Sequence, residues 1–204
     1  MVLMIPTLPH EIQDELDRLA QRYDQPLVRS IELNTAHPFD PINKSDRYGE
    51  VCMVLRRKNG RLLLMKKTFY PEGAYRLLTG GIQHGEGIQH ALLREVHEET
   101  GLNVEIESFL AALDYRLQSD LSRPVFYSFA FFLNEVSGEL GALDADEKVE
   151  NFLEIDASEL PLRAGYLEQI GSHYSHEIAG NWHDWGIFRA AIHYAVWDAL
   201  RNQL

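Results

Sequence analysis

The sequence holds one cysteine, Cys52, so it can form no disulfide within the chain and no cysteine-based zinc site. It has no run approaching the roughly 18 to 20 apolar residues of a membrane-spanning helix. Basic residues are scarce: 19 Lys and Arg stand against 31 Asp and Glu, a formal charge of -12. A polyanion meeting this surface at random is repelled, so extended nucleic-acid binding is not expected. The opening stretch MVLMIPTLPHEIQDELDRL has no basic n-region, and Pro6 and Pro9 break its apolar part, unlike a secretory signal. Nine histidines are scattered without a HExxH-type pair; His173 and His176 share a helical spacing but read as surface or core side chains, and no histidine is assigned to a metal. Internal repeats and low-complexity tracts are also missing. These absences lead us to expect a soluble protein of the reducing cytoplasm.

What is present is an ordinary globular balance, 45% hydrophobic and 25% charged over 204 residues, enough for one well-buried domain. The acidic total does not exclude a phosphorylated substrate, because a few divalent cations in one cleft reverse the local field. Along the chain, Ile12, Leu16, Leu19 and Ala20 recur at helical spacing from Pro9 to about Tyr23, and Leu27 to Leu33 reads as a short strand. The stretch Thr35 to Ser45 reads as a loop, either linker or flap. Strands are expected over Tyr48 to Arg57 and Arg61 to Tyr70, joined at Asn59-Gly60, a strong hairpin signal. A run from Tyr75 to Leu78 leads into Gly80-Gly81, and Gly87 to Thr100 reads as a helix with Ile88, Leu92, Val96 and Thr100 on one stripe, ended by Gly101. Strands follow at Val104 to Leu117 and Val125 to Val136. An acidic loop, Gly141 to Glu150, then precedes a short strand at Phe152 to Ile155, and a last helix runs from Trp182 to Leu200. Sheet strands interrupted by one helix and flanked by terminal helices indicate an α/β or α+β sandwich.

The polar side of the helix after the glycines is of one sign. Glu95, Glu98 and Glu99 fall within roughly 100° of one another, beside the apolar stripe. Like charges at these spacings destabilise a helix unless something offsets them, and hard divalent cations such as Mg²⁺ or Mn²⁺ would. Such ions keep waters and complete their shell with substrate phosphate oxygens, which suits a diphosphate. Arg94 is placed to orient a carboxylate by a bidentate contact, and Glu86, just before the helix, reaches back toward the cluster. Gly80 and Gly81 let the backbone approach a ligand or bend sharply.

Gly80, Glu86, Arg94, Glu95, Val96, Glu98, Glu99, Gly101 and Leu102 match the Nudix box at every specified position. The chain therefore resembles the Nudix hydrolases, MutT-like proteins. The resemblance implies an α/β/α sandwich with a mixed sheet and extra terminal helices. The boundaries would be an N-terminal helix and extension over about 1–45, a Nudix core over about 46–160, and a C-terminal helical region over about 161–204. It also implies hydrolysis of a nucleoside diphosphate derivative, with Mg²⁺ or Mn²⁺ held by Glu95, Glu98 and Glu99, Glu86 as an additional ligand, and Arg94 as an orienting residue. Water would attack phosphorus in line, its proton taken by Glu98 or by a late-loop carboxylate, Glu147 or Glu150.

Within that resemblance a small nucleotide, an ADP-sugar such as ADP-ribose or a nucleoside triphosphate, is favoured over capped RNA, because the chain offers no basic track. Tyr115 lies downstream of the box, in the general region where dinucleoside polyphosphate hydrolases carry a Tyr. The alternatives are a non-catalytic nucleotide-binding regulator, whose usual mark would be a missing box Glu, and an isopentenyl-diphosphate-isomerase-like enzyme, for which Cys52 in a core strand is poorly placed. Phe126, Phe129, Phe131 and Phe132 are expected to pack the sheet. Trp182, Trp185, Tyr194 and Trp197 are expected in the core or in a homodimer contact.

Overall fold

The computed structural model describes residues 8–35 and 38–201. The signal-peptide reading of the opening stretch falls partly on 1–7, outside the described residues. Four helices are present among them, α1 (His10–Arg22), α2 (Ile88–Thr100), α3 (Leu160–Glu168) and α4 (Trp182–Arg201). The strands are β1 (Leu27–Leu33), β2 (Arg47–Arg56), β3 (Leu62–Lys67), β4 (Arg76–Gln83), β5 (Leu102–Leu117), β6 (Phe126–Gly138) and β7 (Val149–Ile155), with a two-residue pair, β8 (Tyr174–Ser175) and β9 (Gly180–Asn181). The seven main strands form one mixed sheet in the order β1-β5-β6-β2-β4-β3-β7. β1 runs parallel to β5 and β2 parallel to β6, while the other neighbours are antiparallel.

The alternation of side chains along β2 explains the layers. Val51, Met53 and Leu55 point into a core shared with Leu16 and Leu19 of α1 and Ile88, Leu92 and Val96 of α2. Cys52 and Val54 point the other way, into a core built with Leu160 and Leu167 of α3 and Trp185, Phe188 and Ile192 of α4. A strand buried on both faces reads as a continuous apolar run rather than an alternating one, which is how Val51 to Leu55 reads. The result is an α/β/α sandwich with the central strands shielded by helices on each side.

Several boundaries differ from the sequence expectation. The third expected strand does not stop before the glycines: β4 continues through Gly80 and Gly81, which pair with Val51 and Glu50 of β2. Glu150 is not in a loop but in β7, and Glu147 sits in a single 3₁₀ turn, Ala145–Glu147. Helix α3 opens the stretch expected to be helical from about residue 161, but its own bounds could not be read because it is short, carries Gly165, and follows directly on another helical turn. Within the segment expected as linker or flap, Phe39 is fully buried edge-on against Phe188, and Asp40 N–H donates to Ile178 O.

Candidate active site

Helix α2 is held at both ends. Its N-cap, Gly87, has no side chain to offer, and Glu15 of α1 takes that place, accepting from Ile88 N–H at 3.0 Å and Gln89 N–H at 3.1 Å. A carboxylate there satisfies two orphan donors and favours the positive end of the helix dipole. Gly101 ends the helix with φ +67°. The stripe Ile88, Leu92 and Val96 is buried, which fixes the rotation of the helix and turns Glu95 toward Gly80 of β4 and Glu99 toward Lys67 of β3.

The side chains of α2 and its approach divide into two groups. Arg94 gathers one of them. Its Nε and Nη2 donate to the two oxygens of Glu86 at 2.8 and 2.9 Å, its Nη1 donates to Glu95 at 2.9 Å and Glu98 at 2.8 Å, and Nη2 also reaches Gly81 O at 3.1 Å. The Arg94 guanidinium holds the Glu86 carboxyl down to about 2, with further help from His90 and Gln83 N–H. Glu86 is thus fully engaged by an arginine, and Glu98 is partly exposed with one oxygen on the same arginine.

The second group is Glu95, Glu99 and Glu147, each offering a carboxylate oxygen within 4.8 Å of the others. Burial raises the Glu95 carboxyl above its usual range, although Arg94 opposes this. Glu99 is completely buried and neither of its oxygens accepts a hydrogen bond. Burial pushes its carboxyl up to about 8 against the opposing charges of Lys67 and Arg76. Lys67 at the end of β3 contacts Glu147 at 2.8 Å and Glu99 at 3.5 Å. Desolvation of Glu147 acts upward, but Lys67, together with Glu99 and Arg76, keeps its carboxyl below the ordinary value. Glu150 stands apart, both oxygens 2.8 Å from Lys66 Nζ.

The two glycines do not bend the chain. Gly80 lies in regular strand with the Glu95 carboxylate where its Cβ would be, and a Cβ on Gly81 would strike the Arg47 guanidinium. Their smallness makes room for the carboxylate and for an arginine at the floor of the cleft.

Two adjoining cavities open on this floor. One, about 350 Å³, is bounded by Gly80, Gly81, Glu95, Glu98 and Asp144. The other, about 370 Å³, is bounded by Arg76, Glu50, Arg189, Tyr70 and Trp185. Arg47, Lys67, Thr79, Gly81 and Glu147 border both, so they form one cleft with a carboxylate end and a guanidinium end.

Sequence reasoning missed the basic members of this cleft and Glu15. A signal was present: Lys66 and Lys67 end a fully apolar strand, Arg76 opens another, and Arg189 interrupts an apolar helical stripe, each a charge where burial is expected. Tyr115 and Cys52 border neither cavity. Tyr115 is buried against Phe188 and Phe126, and burial raises the Cys52 thiol far above the reactive range. The four Phe residues of β6 are buried in the sheet, and Trp182 and Trp185 lie in the core. His193, also buried, donates from Nδ1 to Arg189 O and accepts from Leu77 N–H, clamping α4 to β4 as a neutral ring. No helix among the described residues is long and apolar enough to cross a membrane.

The chain is 33% identical over 118 residues to an ADP-ribose pyrophosphatase of Methanocaldococcus jannaschii, a match covering 57% of this chain and 67% of that protein. It is 30% identical over 105 residues to a human NAD-capped RNA hydrolase, covering 51% of this chain but 21% of the relative. The chain therefore spans only a part of some of the curated relatives it matches. Among solved structures, a UDP-X diphosphatase aligns over 81% of this chain and 68% of its own with a TM-score of 0.49 at 16% identity. The family model for the NUDIX domain matches residues 47–170, from the start of β2 to beyond α3 and across the whole of α2. A match over more than half of the chain, including the helix that carries the carboxylates, makes this protein a member of the NUDIX family of hydrolases.

Proposed function

We propose that this protein hydrolyses the diphosphate linkage of a small nucleoside diphosphate derivative, a nucleotide sugar of the ADP-ribose kind or a nucleoside triphosphate, in the presence of Mg²⁺ or Mn²⁺. The observation that carries the reading is the Glu95, Glu99 and Glu147 group, with Glu99 buried and neither of its oxygens hydrogen-bonded. Three carboxylates so close, one without a single hydrogen bond, fit a hard cation that takes oxygen ligands. Glu95, Glu99 and Glu147 would hold it, and when bound it supplies neutralisation of the diphosphate and a more acidic water.

The remaining work falls to the chain itself. Arg94 keeps Glu95 and Glu98 at fixed positions over Gly81. Glu98, partly exposed at the cleft, takes the proton of the attacking water. Lys67 holds Glu147 in its charged form and brings a positive charge to the same edge of the cleft. Glu86 serves through Arg94, which would have to release it before it could act as a further ligand.

The test is phosphate release, with added phosphatase, across nucleoside triphosphates, nucleotide sugars, dinucleoside polyphosphates, dinucleotide cofactors and capped RNA. Metal-dependent turnover of one class, lost in Glu98→Gln, is expected. Saturable nucleotide binding without turnover of any member would replace the hydrolase by a nucleotide-binding regulator.

A further inference from the structure

The guanidinium end of the cleft has a feature that the carboxylate chemistry leaves unexplained. Arg76 is 2% exposed, and its hydrogen bonds go only to neutral acceptors: Tyr70 Oη at 2.9 Å, Leu77 O at 2.7 Å and Thr79 Oγ1 at 3.0 Å. Among the described residues no carboxylate forms an ion pair with it. Arg189, 5% exposed, converges on the same Thr79 oxygen at 3.0 Å while both Glu50 oxygens accept from its Nη1 at 2.8 Å. Its Nε is buried and has no acceptor. Glu50 is also bonded by Ser128, so its charge is spent on Arg189 and does not serve Arg76. Two buried guanidinium groups meeting at one hydroxyl leave an excess positive charge at the wall of a cavity of about 370 Å³. Burying such a charge without a partner is costly, and a ligand anion removes the cost.

The other charges around the cavity include the acidic Asp146 and Glu177 beside Lys148, and among the described residues none of them forms an ion pair with Arg76. Lys67 is occupied by Glu147 and Glu99, Arg47 by both oxygens of Asp46, and Lys44 by Asp40. Glu99 and Glu147 feel the charge of Arg76 without touching it, and both belong to the carboxylate end. Beside the arginines stand Tyr70 and Trp185, ring centroids 4.8 Å apart, a wall suited to a sugar or a base.

We infer that this cavity is a subsite for an additional phosphate group of the substrate, one beyond the phosphates held at the carboxylate end, read by Arg76 and Arg189 through their forked donors. The inference rests on the proposed hydrolase reading for its substrate, but not for its anion. Arg189 and Trp185 come from α4, which begins after the region matched by the family model ends at residue 170. The subsite is therefore shared between Arg76 of β4, inside the matched region, and Arg189 of α4, outside it. The extra phosphate could be the third of a nucleoside triphosphate or a phosphomonoester on the group linked to the diphosphate, and substrate pairs separate the two.

The first measurement uses inorganic phosphate as the probe and the full chain in EDTA, followed by calorimetry. Without metal the carboxylate end repels phosphate, so binding reports on the guanidinium end. Saturable binding is expected, weakened about tenfold or more in Arg76→Gln, the scale of losing a buried charge-assisted contact. If that variant does not fold, Arg76→Lys keeps the charge but loses the fork, and a several-fold weakening is expected. The second measurement compares kcat/KM with Mn²⁺ for a dinucleotide with and without a 2′-phosphate, and for a nucleoside triphosphate against a nucleotide sugar. Wild type is expected to prefer the phosphate-bearing member of one pair, and the Arg76 variant to lower that preference ratio. A purely structural Arg76 would lower all substrates together and leave the ratio alone, which overturns the inference. So does the absence of phosphate binding in wild type. Phosphate binding lost in the variant, with no turnover of any substrate, keeps the anion site and removes the hydrolase.

Discussion

At one end of the cleft three carboxylates crowd together, two on α2 and one in a turn before β7; at the other, two guanidinium groups crowd together, one from β4 and one from α4. Both ends pack like charges, and both pack them out of water. They differ in how the residues are brought there. Glu95 and Glu99 are one helical turn apart, so their proximity is local and follows from a 3.6-residue period. Arg189 reaches Glu50 across 139 positions and Thr79 across 110, so its place depends on the completed sandwich. A local cluster can be carried on one motif, whereas a cluster assembled from distant segments can change with whatever helix the chain adds.

The sharpest break in that comparison should come from the carboxylate end. Glu98→Gln is expected to lower kcat by about 10²- to 10⁴-fold, the range for removing a general base. Because the side chain is partly exposed, its melting temperature should stay close to wild type; a large fall in both would reassign Glu98 to a structural role.

Arg94 comes next. Its loss leaves Glu86, Glu95 and Glu98 facing one another without the shared cation, and Arg94→Gln should cost about 2 to 3 kcal/mol in urea unfolding, as for hydrogen bonds between charged groups. An unchanged midpoint would mean that solvent screens these carboxylates well enough alone.

A pH series separates the ends further. The folded Glu99 carboxyl lies at about 8, above its ordinary 4.5, so its protonated form favours folding. That contribution is complete below about 4.5 and is lost as pH rises toward 8. Metal-free protein should therefore lose stability over this window on account of Glu99, and the stabilisation by added Mn²⁺ should be larger at pH 8 than at pH 6. Glu86 behaves oppositely: its carboxyl is held at about 2, so its contribution is present above 4.5 and is lost only as pH falls toward 2. Thermal melts from pH 5 to 8 on wild type and Glu99→Gln check the sign, since the variant should show a flatter profile.

The smallest expected effect is at α1. Glu15→Ala removes the cap on α2 and should cost about 1 kcal/mol, or about 2 to 4 °C in melting temperature for a chain of this size. No change would indicate that water caps the helix as well as Glu15 does.

The same contrast explains what could be read from the sequence. The hairpin at Asn59-Gly60 follows from turn chemistry, the burial of β2 from its unbroken apolar run Val51 to Leu55, and the α2 stripe and the proximity of Glu95 to Glu99 from the 3.6-residue period, and they stand in the fold as expected. Periodicity could not distinguish Glu147, which joins the cluster, from Glu150, three residues later in β7 and paired with Lys66. That outcome depends on where a 3₁₀ turn ends. Nor could it tell that Arg94 would hydrogen-bond Glu86, Glu95 and Glu98 while Glu99 received no hydrogen bond. Arg76, Arg189 and Lys67 were visible only as charges in apolar runs, because the partners that explain them arrive through β-sheet register and helix docking.

The most direct test of the account is a calorimetric titration of Mn²⁺ into metal-free protein at pH 7, repeated in two buffers of different ionisation enthalpy and again with Glu99→Gln. The carboxylate group should bind Mn²⁺ saturably with net release of a proton, because Glu99 must ionise to take part, and the variant should bind far more weakly without that release. Equal binding by both proteins would contradict the assignment of Glu95, Glu99 and Glu147 as the metal centre.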